Sequence, residues 1–143
     1  MKLMRDDHSR LPFFVYGTLR PGEINHSWLL RGRTTSETPA VLHGALLFDG
    51  PGYPYAVADE RGRVHGDVIH PAEDLYQEVL SDLDRLEEYS PGAPGNLYER
   101  VVRDVRTYAG QTLPAWVYLA AADHERELRD KGRPIAGGDW KHR

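Results

Sequence analysis

The segment Leu83-Asp84-Arg85-Leu86-Glu87-Glu88-Tyr89 places two carboxylates side by side at the end of a helical apolar pattern. On a wheel turning roughly 100° per residue from Leu75, the residues Leu86, Val79, Leu83, Tyr76 and Leu80 fall between about 20° and 140°. Glu87 falls near 120°, inside that apolar sector, and Glu88 near 220°, outside it. Glu87 is therefore expected to point inward and Glu88 toward solvent. An inward carboxyl at a helix C-terminus loses hydration and meets the negative end of the helix dipole. Both effects raise its pKa and suit it to proton transfer near neutral pH. A helix that frays before Glu87, or an arginine that pairs with it, fits the same spacing.

A second candidate is Tyr16-Gly17-Thr18-Leu19-Arg20-Pro21-Gly22, an apolar strand running into a glycine-bearing turn and a helix start. Unpaired N–H groups in such a turn can hold a carboxylate or phosphate. A plain strand-to-helix turn has the same pattern. No Gly-Lys-Ser/Thr follows, so this is not a Walker loop, and the dinucleotide fingerprint G-x-G-x-x-G is absent. Tyr53, in Gly52-Tyr53-Pro54-Tyr55, together with Tyr98 and Tyr118 on later strands, can line a pocket with hydroxyls. Each is equally compatible with core packing and a hydroxyl at the surface. The seven histidines show no recognised ligand spacing, and no Gly-x-Ser-x-Gly elbow occurs. Neither a metal site, nor a cofactor, nor a serine hydrolase is expected.

The composition narrows the class further. The chain has 143 residues with no cysteine, which excludes disulfides, thiolate nucleophiles and thiolate metal sites. Its net charge of −4 disfavours a nucleic-acid partner, because phosphate neutralisation needs a basic face. No apolar run approaches the roughly 18 residues of a membrane span. Met1 to Arg10 is polar and charged, without the apolar stretch of a secretory signal. A flexible segment over 1–10, one domain over 11–143, a cytoplasmic location and a monomer or homodimer are the expectations.

These residues need elements to position them. Leu11 to Tyr16 reads as a buried strand, and Glu23 to Leu30 as a short helix ended by Gly32. Val41 to Phe48, Tyr53 to Ala58 and Val64 to Ile69 read as strands, with a turn at residues 59–62 between the last two. Pro71 suits a first helical position, and Leu75, Val79, Leu83 and Leu86 follow at helical spacing. Leu97 to Tyr108 and Leu113 to Ala120 read as strands joined at Ala109-Gly110-Gln111, and Asp123 to Lys131 as a charged helix. Ile135 and Trp140 are large apolar residues in a polar terminus and predict that the tail docks on the body. The order is α+β with a mixed or antiparallel sheet, not a βαβ array.

Taken in order along the chain, several motifs resemble the γ-glutamylcyclotransferase superfamily, in its small bacterial and AIG2-like branch. They are Phe13-Phe14-Val15-Tyr16-Gly17-Thr18-Leu19-Arg20-Pro21-Gly22 with Asn25-His26, then Gly52-Tyr53-Pro54, then Val64-His65-Gly66-Asp67-Val68. Leu83-Asp84-Arg85-Leu86-Glu87, Leu97-Tyr98-Glu99-Arg100, Ala115-Trp116-Val117-Tyr118 and Ile135-Ala136-Gly137-Gly138-Asp139-Trp140 complete the set. The resemblance implies a small mixed β-barrel with flanking short helices. It also implies a cavity floored by Tyr16, Gly17, Thr18 and Leu19, with Glu87 as catalytic acid/base. Glu88 stands where the family usually has glycine, the loop from Ser90 to Asn96 is longer than usual, and Thr18 replaces a common serine.

The implied reaction is that of a transferase- or lyase-type enzyme with a small-molecule γ-glutamyl amide as its partner. The α-amine of the glutamyl group attacks its own γ-carbonyl, releasing 5-oxoproline and a free amine. Tyr98 and Tyr118 would shape the pocket or orient Glu87. Two alternatives keep the cavity. One is a cyclotransferase for γ-glutamyl-lysine-type or natural-product amides, and the other is a non-catalytic module that binds a small carboxylate.

Overall fold

The computed structural model describes residues 10–143. The expected flexible segment 1–10 lies outside the described residues except for Arg10, whose Nη1 donates to the Glu73 carbonyl at 2.7 Å. Five strands close into a barrel in the order β1-β3-β2-β4-β5. They are β1 (Phe13–Val15), β2 (Thr34–Phe48), β3 (Tyr55–Pro71), β4 (Tyr98–Thr107) and β5 (Thr112–Ala120). All pairings are antiparallel except β1 with β5, where Phe13 lies beside Trp116 and closes the barrel in parallel. The helices are α1 (Ile24–Leu29), α2 (Tyr76–Leu86) and α3 (Ala122–Lys131). Among the described residues, no helix is long and apolar enough to cross a membrane.

Strand alternation divides the core into two clusters. Phe13, Val15, Val57 and Ile69 turn to the face covered by α2 and pack with its Tyr76, Val79 and Leu83. Phe14, Leu42, Leu47, Val64, Val68, Val105 and Val117 turn to the opposite face, which barrel closure encloses. Trp140 joins this second cluster from the tail. The tail is further held by Ile135 N–H donating to the Leu47 carbonyl at 2.7 Å. Docking of the terminus is thus as its two apolar residues predict.

Three expectations about boundaries are corrected. Residues 59–62 do not separate two strands. They form an irregularity inside the single strand β3, where the register jumps between His43↔Arg63 and Ala45↔Ala58 and only Gly44 stands opposite. Turn-type residues favour a tight reversal and a bulge alike. Here Asp59 Oδ1 accepts from the Arg61 N–H at 3.0 Å within that irregularity. Pro71 ends β3 opposite Thr34, and the helix begins after it, through a 3₁₀ turn at Glu73–Leu75. β2 starts at Thr34 rather than Val41, because its polar, threonine-rich first half pairs with the far end of β3.

Candidate active site

α2 ends in a way that fixes Glu87. The Tyr89 N–H donates to the Asp84 carbonyl at 2.8 Å, and the Glu88 N–H to the Arg85 carbonyl at 3.1 Å. This pair of bonds is the Schellman helix stop, in which the residue after the last helical one takes a left-handed backbone. That residue is Glu88, with φ +54°, and it is the one described non-glycine residue with positive φ. Glu87 is the preceding capping residue, with φ −82° and ψ 1°, and its N–H still donates to the Leu83 carbonyl at 3.0 Å. The helix therefore does not fray before Glu87.

Glu87 is partly buried and lines a cavity of about 350 Å³. Tyr16, Gly17, Thr18, Leu19, Tyr53, Tyr98 and Tyr118, all expected at a ligand site, line the same cavity. Burial pushes the Glu87 carboxyl up from its ordinary value near 4.5 to about 7, and the neighbouring Asp84 charge adds to the rise. No arginine pairs with Glu87 among the described residues. The direction of the rise and its main cause are those that helical phase suggests, with Asp84 in addition.

The opposite wall is the turn after β1. The Arg20 N–H donates to the Gly17 carbonyl at 3.0 Å, and the Asn25 and His26 N–H groups both donate to the Thr18 carbonyl. Asn25 Nδ2 also donates to Thr18 Oγ1 at 2.9 Å. The carbonyls of the turn are thus occupied, while the N–H groups of Gly17, Thr18 and Leu19 have no acceptor among the described residues. Arg20 anchors the turn from behind, with Nε 2.8 Å from Asp67 and Nη1 2.8 Å from Asp139. Gly17 is needed for a reason that spacing alone does not reveal. A Cβ there would lie 2.6 Å from Pro54 Cδ.

The tyrosines shape the cavity. None of their hydroxyls donates to Glu87. Tyr16 donates to the Tyr118 carbonyl at 2.5 Å, and Tyr98 to the Pro54 carbonyl at 3.2 Å. Tyr118 donates to Asp84 Oδ1 at 2.6 Å. Burial raises the pKa of all three, so they remain neutral hydroxyls. Of the two expected roles of Tyr98 and Tyr118, shaping the pocket or orienting Glu87, these partners fit the first. Tyr53 is half exposed at the rim, edge-on to Tyr55, which stacks on Tyr98.

Two contributors escape sequence reasoning. Asp84 is locked by Tyr118 and by Arg100, whose Nε lies 2.9 Å from Oδ1, and it faces Glu87 electrostatically. Its position three residues before Glu87 on one helix is a usable signal. Glu88 is exposed as helical phase predicts, yet it also lines the cavity. The left-handed stop turns the chain back across the helix end and brings it there. The described histidines stay outside the cavity lining. His26 pairs with Glu37, His65 with Tyr108 and His70 with Ser36.

Comparison with known proteins gives the family and the fold. Residues 13–142 match the family described as "Gamma-glutamyl cyclotransferase, AIG2-like". The chain is 35% identical to the gamma-L-glutamyl-butirosin B gamma-glutamyl cyclotransferase of Niallia circulans, over 90% of this chain and 74% of that protein. It is 30% identical to the gamma-glutamylaminecyclotransferase of Rattus norvegicus, over 74% of this chain and 83% of that one. An uncharacterized protein from Pyrococcus horikoshii superposes with a TM-score of 0.62 at 25% identity, covering 92% and 91% of the two chains. An AIG2-like protein from Mus musculus shares the fold with a TM-score of 0.61, over 78% of each chain. With nearly its whole described length matched, this chain belongs to the AIG2-like gamma-glutamyl cyclotransferase family.

Proposed function

We propose that the protein converts a γ-glutamyl amide into 5-oxoproline and a free amine, with Glu87 as the acid/base. The observation that carries this reading is a carboxyl of pKa about 7 in a cavity of about 350 Å³ that is also lined by Gly17, Thr18 and Leu19, whose N–H groups have no acceptor among the described residues. The α-amine nitrogen of the substrate attacks its own γ-carbonyl carbon, and a carbon–nitrogen bond forms as the carbonyl oxygen gains charge. Glu87 takes the proton that the attacking nitrogen sheds. It then gives that proton to the leaving nitrogen as the original amide bond breaks. The carboxylate is regenerated and no water is consumed. One group can serve both steps because its pKa lies close to neutrality.

Attack within one molecule makes positioning a large part of the acceleration. The N–H groups of Gly17, Thr18 and Leu19 suit the substrate α-carboxylate or the developing oxyanion. The neutral tyrosines supply a stiff aromatic wall. A panel of γ-glutamyl amides assayed for 5-oxoproline, with Glu87→Gln as control, tests the reading. Release that depends on Glu87 supports it. Binding without release would instead assign a carboxylate-binding module.

A further inference from the structure

The cavity is electrostatically one-sided. Its lining includes two carboxylates, Glu87 and Glu88, and among the described residues that line it there is no lysine, arginine or histidine. The Glu88 side chain has no hydrogen bond or ion pair with another described residue, so its charge is uncompensated at the rim. It also occupies a left-handed backbone position, where a residue with a Cβ is disfavoured and glycine is not. The fold therefore tolerates a local penalty at a residue that lines the cavity. Around it, three apolar side chains that line the cavity are also exposed: Ile24 at 64%, Tyr53 at 41% and Leu97 at 46%. Leu97 is delivered by a loop stapled through Asn96, whose Oδ1 accepts from the Ser90 N–H and whose Nδ2 donates to the Ser90 carbonyl.

Resting on the cyclotransferase reading above, we propose that Glu88 determines specificity for amides whose leaving amine carries an apolar stem and a second positive charge. The N–H groups of residues 17–19 accommodate the anionic end of the glutamyl half. The rim then receives the leaving half, with its stem against Ile24, Tyr53 and Leu97 and its ammonium against Glu88. A diamine joined through one nitrogen has this chemistry, since its other nitrogen stays charged. A leaving amine that ends in a carboxylate would instead meet two like charges with no cation to offset them.

The test uses three γ-glutamyl amides with the same four-carbon stem, made from 1,4-diaminobutane, n-butylamine and 4-aminobutyrate. For each, kcat/KM for 5-oxoproline release is measured in the full-length protein at low and high salt. The expected order is diamine, then butylamine, then aminobutyrate, with the spread shrinking at high salt because the pairing is exposed. Glu88→Gln should lower the diamine-to-butylamine ratio by about fivefold, the size an exposed ion pair supports. Glu88→Lys should favour the aminobutyrate amide. Ratios equal in the wild type and Glu88→Gln would overturn the proposal, as would a spread that salt leaves unchanged, since a purely steric rim would behave so. If no amide releases 5-oxoproline, the cyclotransferase reading fails instead. The ranking is then read from the binding of the three amides to Glu87→Gln, where equal affinities overturn the role of Glu88.

Discussion

The Tyr118 hydroxyl donates to Asp84 Oδ1 at 2.6 Å and so is committed away from Glu87, which lies one helical turn further on. The cavity wall thus fixes the neighbour of Glu87 rather than Glu87 itself. Arg100 holds Asp84 from the other side while lying over the Trp116 ring at 4.3 Å. The Asp84 carboxylate therefore stands beside a carboxyl that burial has already made reluctant to ionise.

Removing that charge should move Glu87 in a stated direction. Asp84→Asn takes away the repulsion and leaves Arg100 without its carboxylate, and both changes favour ionised Glu87. The acid limb of the pH–rate profile should move to lower pH. An acid limb that stays in place or moves upward would contradict the role given to Asp84.

Gly17 should tolerate no side chain, because of Pro54. A Cβ at 2.6 Å from the ring must push Pro54 away, and the Pro54 carbonyl is the acceptor for Tyr98. Gly17→Ala should therefore weaken binding of a γ-glutamyl amide by tenfold or more while the far-ultraviolet circular dichroism is unchanged. Affinity equal to wild type would show that the close approach does not matter for the site.

The docked tail supports the turn. Asp139 is a partner of the buried Arg20, and Trp140 is 3% exposed in the enclosed core. Burying a large apolar side chain contributes about 1.5–3 kcal/mol. Truncation after Gly132 should lower Tm by several degrees and weaken ligand binding through Arg20. A melt identical to that of the full chain would show that the tail is dispensable.

Glu87 should also make the fold less stable at high pH, whatever the substrate is. Its folded pKa of about 7 exceeds its ordinary value near 4.5, so between these pH values the native state binds more protons than the unfolded state. Stability from this group is fully present below the unfolded pKa and is lost as pH rises through about 7. Glu87→Gln removes the loss. Its stability relative to wild type should grow across that window by a few kcal/mol at most, since each pH unit separating the folded and unfolded pKa values corresponds to about 1.4 kcal/mol. A difference that stays constant with pH would contradict the raised pKa.

Much of this site is legible in the sequence because it depends on local geometry. Helical phase places Glu87 toward Tyr76, Val79 and Leu83, and the strand–turn–helix pattern places Gly17 to Leu19 at a loop with free N–H groups. What is not legible depends on distant partners. Asp84 meets Arg100 and Tyr118 from 16 and 34 residues away. The need for glycine at position 17 comes from Pro54, distant in sequence but packed directly against it. Residues 59–62 have turn composition, but the register across from Gly44 decides that they bulge rather than reverse. Glu88 is the sharpest case. A glutamate carries no preference for a left-handed backbone, so the helix stop that brings it to the cavity is visible only in the fold.

The most direct test of the central assignment is turnover of γ-glutamyl-n-butylamide across pH by the wild type and Glu87→Gln. Glutamine preserves size and polarity and removes only the titrating proton. If Glu87 must begin as a base, wild-type activity falls as pH drops through about 7, the value at which the carboxyl protonates. Glu87→Gln should lose at least the ~10²-fold that a general acid/base contributes, at every pH. Turnover by Glu87→Gln within a few-fold of wild type, with the same acid limb, would contradict the assignment of Glu87 as the proton-transfer group.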